Sequence, residues 1–272
     1  MPSPDPAAAV AVLRVPPRLG RDGIARLRTE LATTLADETV RVVVLRGTRD
    51  CFCLGMDLDE IEADFAPERD GIPGQIATDA SSAAASSAAS WEDATRDFTA
   101  VLQTILEARA ITVALVEGPA QGGGTGLLSA CDLVLATEEA SFGLPELVLG
   151  LVPAMILPVL GERLGLHQAK RWAITQATWK AGEANTKGLV DQLVPEDRVE
   201  STLKRTLRTL VRLHPRGVVA LKQHARALSP TDIVAAVAEG RNLLVELLRR
   251  PEVRADIVAF RDYGILPGQS DP

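Results

Sequence analysis

The sequence predicts an α/β fold, with a mostly parallel sheet carrying helices, followed by a helical C-terminal region. Three observations carry this. The runs Val40–Leu45 and Ile111–Val116 are rich in β-branched and aliphatic residues, as strands buried on both faces are. Each follows a stretch with apolar residues at helical spacing. From Glu162 onward the pattern is helical throughout.

Taken in order, Val10–Val15 alternates weakly and reads as a first strand. Between Asp22 and Asp37 the apolar positions Ile24, Leu27, Leu31 and Leu35 share one helical face, with Asp22 as the expected cap. Val40–Leu45 closes a strand–helix–strand unit, for which a right-handed crossover is expected. Arg49–Leu58 is a turn leading into a short helix. Residues 66–90 change composition sharply to Ala, Ser, Pro, Gly and Asp, and read as a mobile insert or a weak Ala-rich helix. Helical spacing returns over Trp91–Glu107. After the strand Ile111–Val116, Glu117-Gly-Pro119 is a break, Gly122–Cys131 a helix and Leu133–Ala136 a strand. Helices are expected at Leu164–Thr175, Glu183–Gly188, Val199–Leu213, Val218–Leu228 and Asp232–Leu248. The expected division is a core over residues 1–195 and a C-terminal helical region over 196–272.

Composition narrows the function. Aromatics are 3% of 272 residues and the formal net charge is −7, which argues against base stacking and a nucleic-acid partner. Cys51, Cys53 and Cys131 form no C-x-x-C pair and are odd in number, so a reducing, cytoplasmic setting is expected. With no Cys/His cluster, no metal site is expected. Met1–Pro6 has no basic segment followed by an apolar one, so no signal peptide is expected. The apolar stretch Leu144–Leu166 is broken by Pro145, Glu146, Pro153 and Pro158, and no membrane span is expected.

Two turns carry the chemistry. Gly122-Gly-Gly124 opens a helix directly after a buried strand. Glycines there admit a ligand close to the backbone, and a helix N-terminus favours developing negative charge. A tight helix–strand packing turn is the plainer reading. The triplet lacks the Lys-Ser/Thr of a P-loop and the spacing of a dinucleotide fingerprint. Phe52-Cys-Leu-Gly-Met-Asp57 likewise follows a buried strand and enters a helix, which Asp57 can cap.

These turns resemble the crotonase (enoyl-CoA hydratase/isomerase) superfamily. The match runs from about Val10 to Pro195. It rests on Val42–Leu58, the Gly triplet, Cys131-Asp-Leu-Val-Leu-Ala136, Ser141–Leu147 with Gly150 and Pro153, and Ala181–Val194. The resemblance implies a crotonase-like ββα spiral core, and oxyanion-hole amides on Met56 and Gly123 bordered by Cys53, Gly55, Gly122, Gly124 and Leu144. Two preorganised N–H donors would stabilise a thioester enolate, each worth ~3 kcal/mol.

Hydratases of the superfamily use two glutamates. One corresponds to Glu146. The other position here is Gly126. That departure, with Phe-Cys-x-Gly-Met-Asp, is similar to the dehydratase of polyketide β-branching cassettes. The resemblance implies dehydration of a 3-hydroxy-3-methylglutaryl-type thioester on an acyl carrier protein, with CoA as the other carrier. No separate cofactor is implied. A homotrimer or dimer of trimers is. Asp57 is a candidate second polar group or a helix cap. Thr125 is a candidate hydrogen-bond donor to substrate or an ordinary helix residue. His167, His214 and His224 read as surface or packing residues. Lys204, Arg205, Arg208 and Arg212 form a basic stripe, either a solvated face or a contact for CoA phosphates or an acidic carrier-protein helix. Decarboxylation or isomerisation through the same enolate, and non-catalytic thioester binding, are the competing readings.

Overall fold

A computed structural model describes residues 9–63 and 91–263. The insert read at 66–90 lies outside the described residues. The strands are β1 Val10–Arg14, β2 Val42–Arg46, β3 Ile111–Val116, β4 Ala120–Gln121, β5 Leu133–Thr137, β6 Ser141–Gly143, β7 Trp179–Lys180 and β8 Gln192–Val194. The helices are α1 Arg21–Ala36, α2 Leu58–Ala63, α3 Trp91–Glu107, α4 Gly123–Ser129, α5 Leu157–Leu164, α6 Leu166–Thr175, α7 Ala181–Thr186, α8 Val199–Leu210, α9 Pro215–Leu228, α10 Ile233–Leu248 and α11 Pro251–Tyr263.

The main sheet is parallel throughout, in the order β1-β2-β3-β5-β8. Central strands β2 and β3 bury alternate residues on both faces, which is why they read as near-continuous apolar runs. One face, carrying Val43, Leu45, Ala114 and Val116, packs into the large core with α1, α3 and α4. The other, carrying Val42, Val44, Val113 and Leu115, is covered by Val199 and Leu203 of α8. A smaller sheet, β4-β6-β7, lies beyond the ends of the main strands in sequence, with β4 and β6 parallel and β6 and β7 antiparallel.

Two sequence motifs serve this framework. Asp132 accepts from the Thr112 amide at 2.8 Å and from Lys222 Nζ at 2.7 Å, tying α9 to the N-terminal ends of β3 and β5. Asp191 accepts from the Val134 amide at 2.7 Å and pairs with Arg163 at 2.9 Å.

Several expectations need correction. The region after Glu162 is not all helical, because β7 and β8 lie within it. Both are too short for a two-residue period to register. The expected helix from Leu164 to Thr175 starts instead at Leu166, after a break at Gly165 with φ +83°. Asp22 does not cap α1: Gly20 holds that position and Asp22 sits in the first turn, where a carboxylate still favours the helix dipole. Among the described residues no helix is long and apolar enough to cross a membrane.

Candidate active site

The site forms where the two glycine turns are laced together. After β2 the chain turns so that Leu54 N–H donates to Pro17 O and Leu19 N–H to Gly55 O, both at 2.8 Å. Phe52 N–H donates to Pro119 O at 2.9 Å, and Gln121 N–H to Cys53 O at 2.9 Å. Gly124 makes this contact possible: a Cβ there would lie 2.1 Å from the Cys53 carbonyl oxygen. Gly55 has φ +83°, and its Cβ would lie 3.3 Å from the Gly123 nitrogen. The two turns are therefore in van der Waals contact at the amides the sequence singled out. Among the described residues neither the Met56 nor the Gly123 N–H donates to a protein acceptor. Free backbone donors beside a cavity are rare, since nearly all buried amides are paired.

Glu146 reaches this point from a short 3-10 helix, Glu146–Leu149, directly after β6 and Leu144-Pro145. Gly122, at φ +49°, has its would-be Cβ 3.0 Å from Glu146 Oε1. A glycine is required there both for the backbone and for the carboxyl beside it. The residue is half-buried, but Oε2 is fully enclosed and has no hydrogen-bond partner among the described residues. Burial pushes the carboxyl up to about 7, outweighing a hydrogen bond to its own backbone that acts the other way.

Met56, Gly123 and Glu146 stand at the junction of two spaces. Inward is an apolar cavity of about 60 Å³, walled by Leu19, Phe98, Ile156 and Leu244. Outward is a groove of about 400 Å³, with Arg18, Leu58 and Phe260 on its sides. Arg18 is exposed and makes no ion pair among the described residues.

Ile156 explains the missing glutamate. A Cβ on Gly126 would lie 2.1 Å from Ile156 Cγ2 and 2.7 Å from its Cβ. The space that a side chain at 126 would occupy is filled by an aliphatic group. Nothing in the local sequence announces this, because the partner lies 30 positions on. Phe98 and Thr95, also on the cavity wall, are read from sequence only as positions on a helix.

Other expected residues are placed differently. The Thr125 hydroxyl is buried and donates toward the Ala120 and Gly143 carbonyls, both at 3.1 Å, so it is held by backbone rather than offered to a ligand. Asp57 Oδ1 accepts from the Asp59 amide at 3.1 Å, capping α2, and Asp57 lines neither space. Cys53 and Leu144 are buried in the core beneath the site rather than on its wall. Burial pushes the Cys53 thiol up to about 12. His167, His214 and His224 are exposed. Of the basic stripe, Lys204, Arg205 and Arg208 lie on α8 and Arg212 just beyond its end; α8 covers the sheet face opposite to the cavity side. Among the described residues no three metal-ligating side chains come together.

Two free amides and one carboxyl of raised pKa, at the end of an apolar cavity, define a site for chemistry at the carbon next to a carbonyl. The model of the enoyl-CoA hydratase/isomerase family matches residues 77–263. The chain belongs to that family, within the crotonase superfamily. A similar relative is the bacillaene synthase dehydratase PksH of Bacillus subtilis strain 168, 30% identical over 229 residues, covering 84% of this chain and 80% of PksH. The 2,3-dehydroadipyl-CoA hydratase of Escherichia coli K12 is 28% identical over 237 residues, covering 86% and 83%. The crystal structure of PksH from Bacillus subtilis superposes with a TM-score of 0.74 at 26% identity, covering 97% of this chain and 92% of that one. With this membership and this site, the chain is an enzyme of the carbon–oxygen lyase type, related to hydratases and dehydratases.

Proposed function

We propose that the enzyme dehydrates a 3-hydroxy-3-methylglutaryl-type acyl thioester carried on an acyl carrier protein. The observation that carries this reading is a lone carboxyl beside two free amides, with Ile156 in place of a second acid. The thioester oxygen accepts from the Met56 and Gly123 N–H groups. Glu146, ionised, removes a proton from the carbon next to the carbonyl, and the electron pair moves onto that oxygen. The enolate returns the pair to form the carbon–carbon double bond as the hydroxyl leaves. Glu146 gives the same proton to that hydroxyl, water departs and the carboxylate is regenerated. No second carboxylate is needed, because no water has to be activated in this direction. A base with pKa near neutrality suits both proton transfers.

The outer groove suits a pantetheine arm, with Arg18 at its mouth for a phosphate. The similarity to the bacillaene synthase dehydratase favours a carrier protein over CoA. No further cofactor is needed for the step. For assembly, α9 buries no side chain within the single chain and exposes Leu221 and Leu228. A homotrimer or dimer of trimers would cover them.

The test is mass spectrometry of a 3-hydroxy-3-methylglutaryl carrier thioester incubated with the enzyme. Loss of water is expected. Loss of carbon dioxide would make the enzyme a decarboxylase, and an unchanged mass would refute turnover of this substrate.

A further inference from the structure

Between the main sheet and the two glycine turns, the pairing of β2 with β3 breaks off. The register ends at Arg46 and Leu115 and resumes at the bridge between Cys53 and Ala120. In this gap the chain after β2 makes a tight turn, with Thr48 N–H donating to Cys51 O at 2.8 Å. The turn presses on Gly118, where a Cβ would lie 2.5 Å from the Arg49 carbonyl oxygen. A side-chain clamp stands where the ladder lapses. Arg46 Nε donates to Glu117 Oε2 at 2.6 Å, and its Nη2 to Oε1 at 3.1 Å. The Glu117 side chain is 2% exposed and that of Arg46 18%. Arg46 Nη1 also meets Glu200, in the first turn of α8, at 2.8 Å. Neither Arg46 nor Glu117 lines the cavity or the groove. A buried ion pair adds little stability over an apolar pair of the same size, because desolvating both charges offsets their attraction. What it adds is direction, since a two-point guanidinium–carboxylate contact fixes both partners in one plane.

We infer that the Arg46–Glu117 pair is a positioning device for the two oxyanion donors, setting the spacing of the Met56 and Gly123 amides. This rests on the thioester reading above and deepens it. Each partner stands at the root of one donor turn. Arg46 is the last residue of β2, and the chain runs on from it to Met56. Glu117 follows β3 directly, and the chain runs on from it to Gly123. Farther out, Phe52 N–H donates to Pro119 O and Gln121 N–H to Cys53 O. Those bonds join the turns to each other, but the gap has released both turns from the sheet. The clamp restores that link. Sliding the end of β2 along β3 would break one or both of its hydrogen bonds. The Thr137 hydroxyl of β5 donates to the Glu117 carbonyl at 3.3 Å, so the Glu117 side of the clamp is tied to a third strand. Two donors act on one oxygen only when held to within about 0.5 Å of the productive geometry. Arg46 and Glu117 touch no substrate and work through the turns they anchor.

The test reads the donors without turnover. Butyryl-CoA carrying ¹³C at its carbonyl is bound to the full chain, and isotope-edited infrared difference spectra record the carbonyl stretch. Two well-placed N–H donors lower that frequency, so the wild type should show a downshift from the free thioester. Arg46→Met combined with Glu117→Leu removes both charges together and leaves neither buried alone. This double variant should melt near the wild-type temperature and still bind butyryl-CoA, yet show a smaller downshift. Its kcat on any thioester that the wild type turns over should fall about 100-fold. Arg46→Lys keeps the charge but not the two-point grip, and its downshift should lie between the other two. A wild-type downshift in the folded double variant would overturn the inference. So would a wild-type downshift in Arg46→Lys, which decides the matter if the double variant does not fold. Absence of any downshift in the wild type would instead remove the oxyanion reading itself.

Discussion

Glu146 owes its reactivity to where the chain puts its carboxyl. In water it would be ionised far below neutrality, where it is too weak a base to take a carbon-bound proton. Enclosure against Gly122 and aliphatic walls brings it up to about 7. The rate consequence is direct. Because ionised Glu146 removes the proton, kcat/KM for dehydration should rise with pH through about 7, and a pH–rate profile would show that limb. Stability moves the opposite way. A carboxyl whose folded pKa is raised stabilises the fold fully below its unfolded value of 4.5, and that contribution is lost as pH climbs through about 7. Glu146→Gln should therefore be more stable than wild type at pH 8, by roughly 3 kcal/mol at most, and indistinguishable near pH 4. Denaturant titrations at the two pH values check this. Equal stability at pH 8 would mean that the carboxyl is not enclosed.

At the scale of elements, the site is a junction of two turns and one short helix, and glycine positions decide how they fit. The Gly triplet is legible in the sequence as a close-approach motif. Its partner in that approach, the Cys53 carbonyl, is 71 positions away and is not. The long elements are readable because α1 and α3 run through enough residues to show a period, and β2 and β3 are near-continuous apolar runs. The strands β4, β6 and β7, two or three residues each, show none, yet β6 delivers the chain to Glu146. Thr125 and Asp57 carry the right atoms for substrate contact, but backbone groups two to eighteen positions away take their hydrogen bonds. Gly126 and Ile156 form a pair that only the folded chain reveals. Gly126→Glu alone should destabilise by about 1–3 kcal/mol through overpacking, with no gain in hydration of crotonyl-CoA. Combined with Ile156→Ala it should recover part of that loss, a coupling of at least about 0.5 kcal/mol. Thermal melts of the two single variants and the double variant measure this cycle, and strict additivity would contradict the contact.

For the whole molecule, the C-terminal helices run from the site to an exposed apolar surface. Helix α11 buries Val253 and Ile257, packs near Gly150 at the end of the Glu146 helix, and presents Phe260 to the outer groove. Helix α9 is tied to the ends of β3 and β5 through Lys222 and rests Val218 on the core, but is otherwise largely exposed. If self-association covers Leu221 and Leu228, light scattering should return a mass of three or six chains. Leu221→Glu with Leu228→Glu should then shift it toward the monomer, whereas a wild-type monomer would contradict the proposed assembly. The α8 residues of the stripe lie over the far side of the sheet, while Arg18 stands at the groove.

The claim on which the rest depends is that one carboxyl and two amides suffice for the loss of water. Single-turnover mass spectrometry compares wild type with Glu146→Gln on a 3-hydroxyacyl carrier thioester, with folding of both verified by circular dichroism. The account predicts complete water loss in the wild type and none in the variant. Water loss at a comparable rate from Glu146→Gln would contradict it.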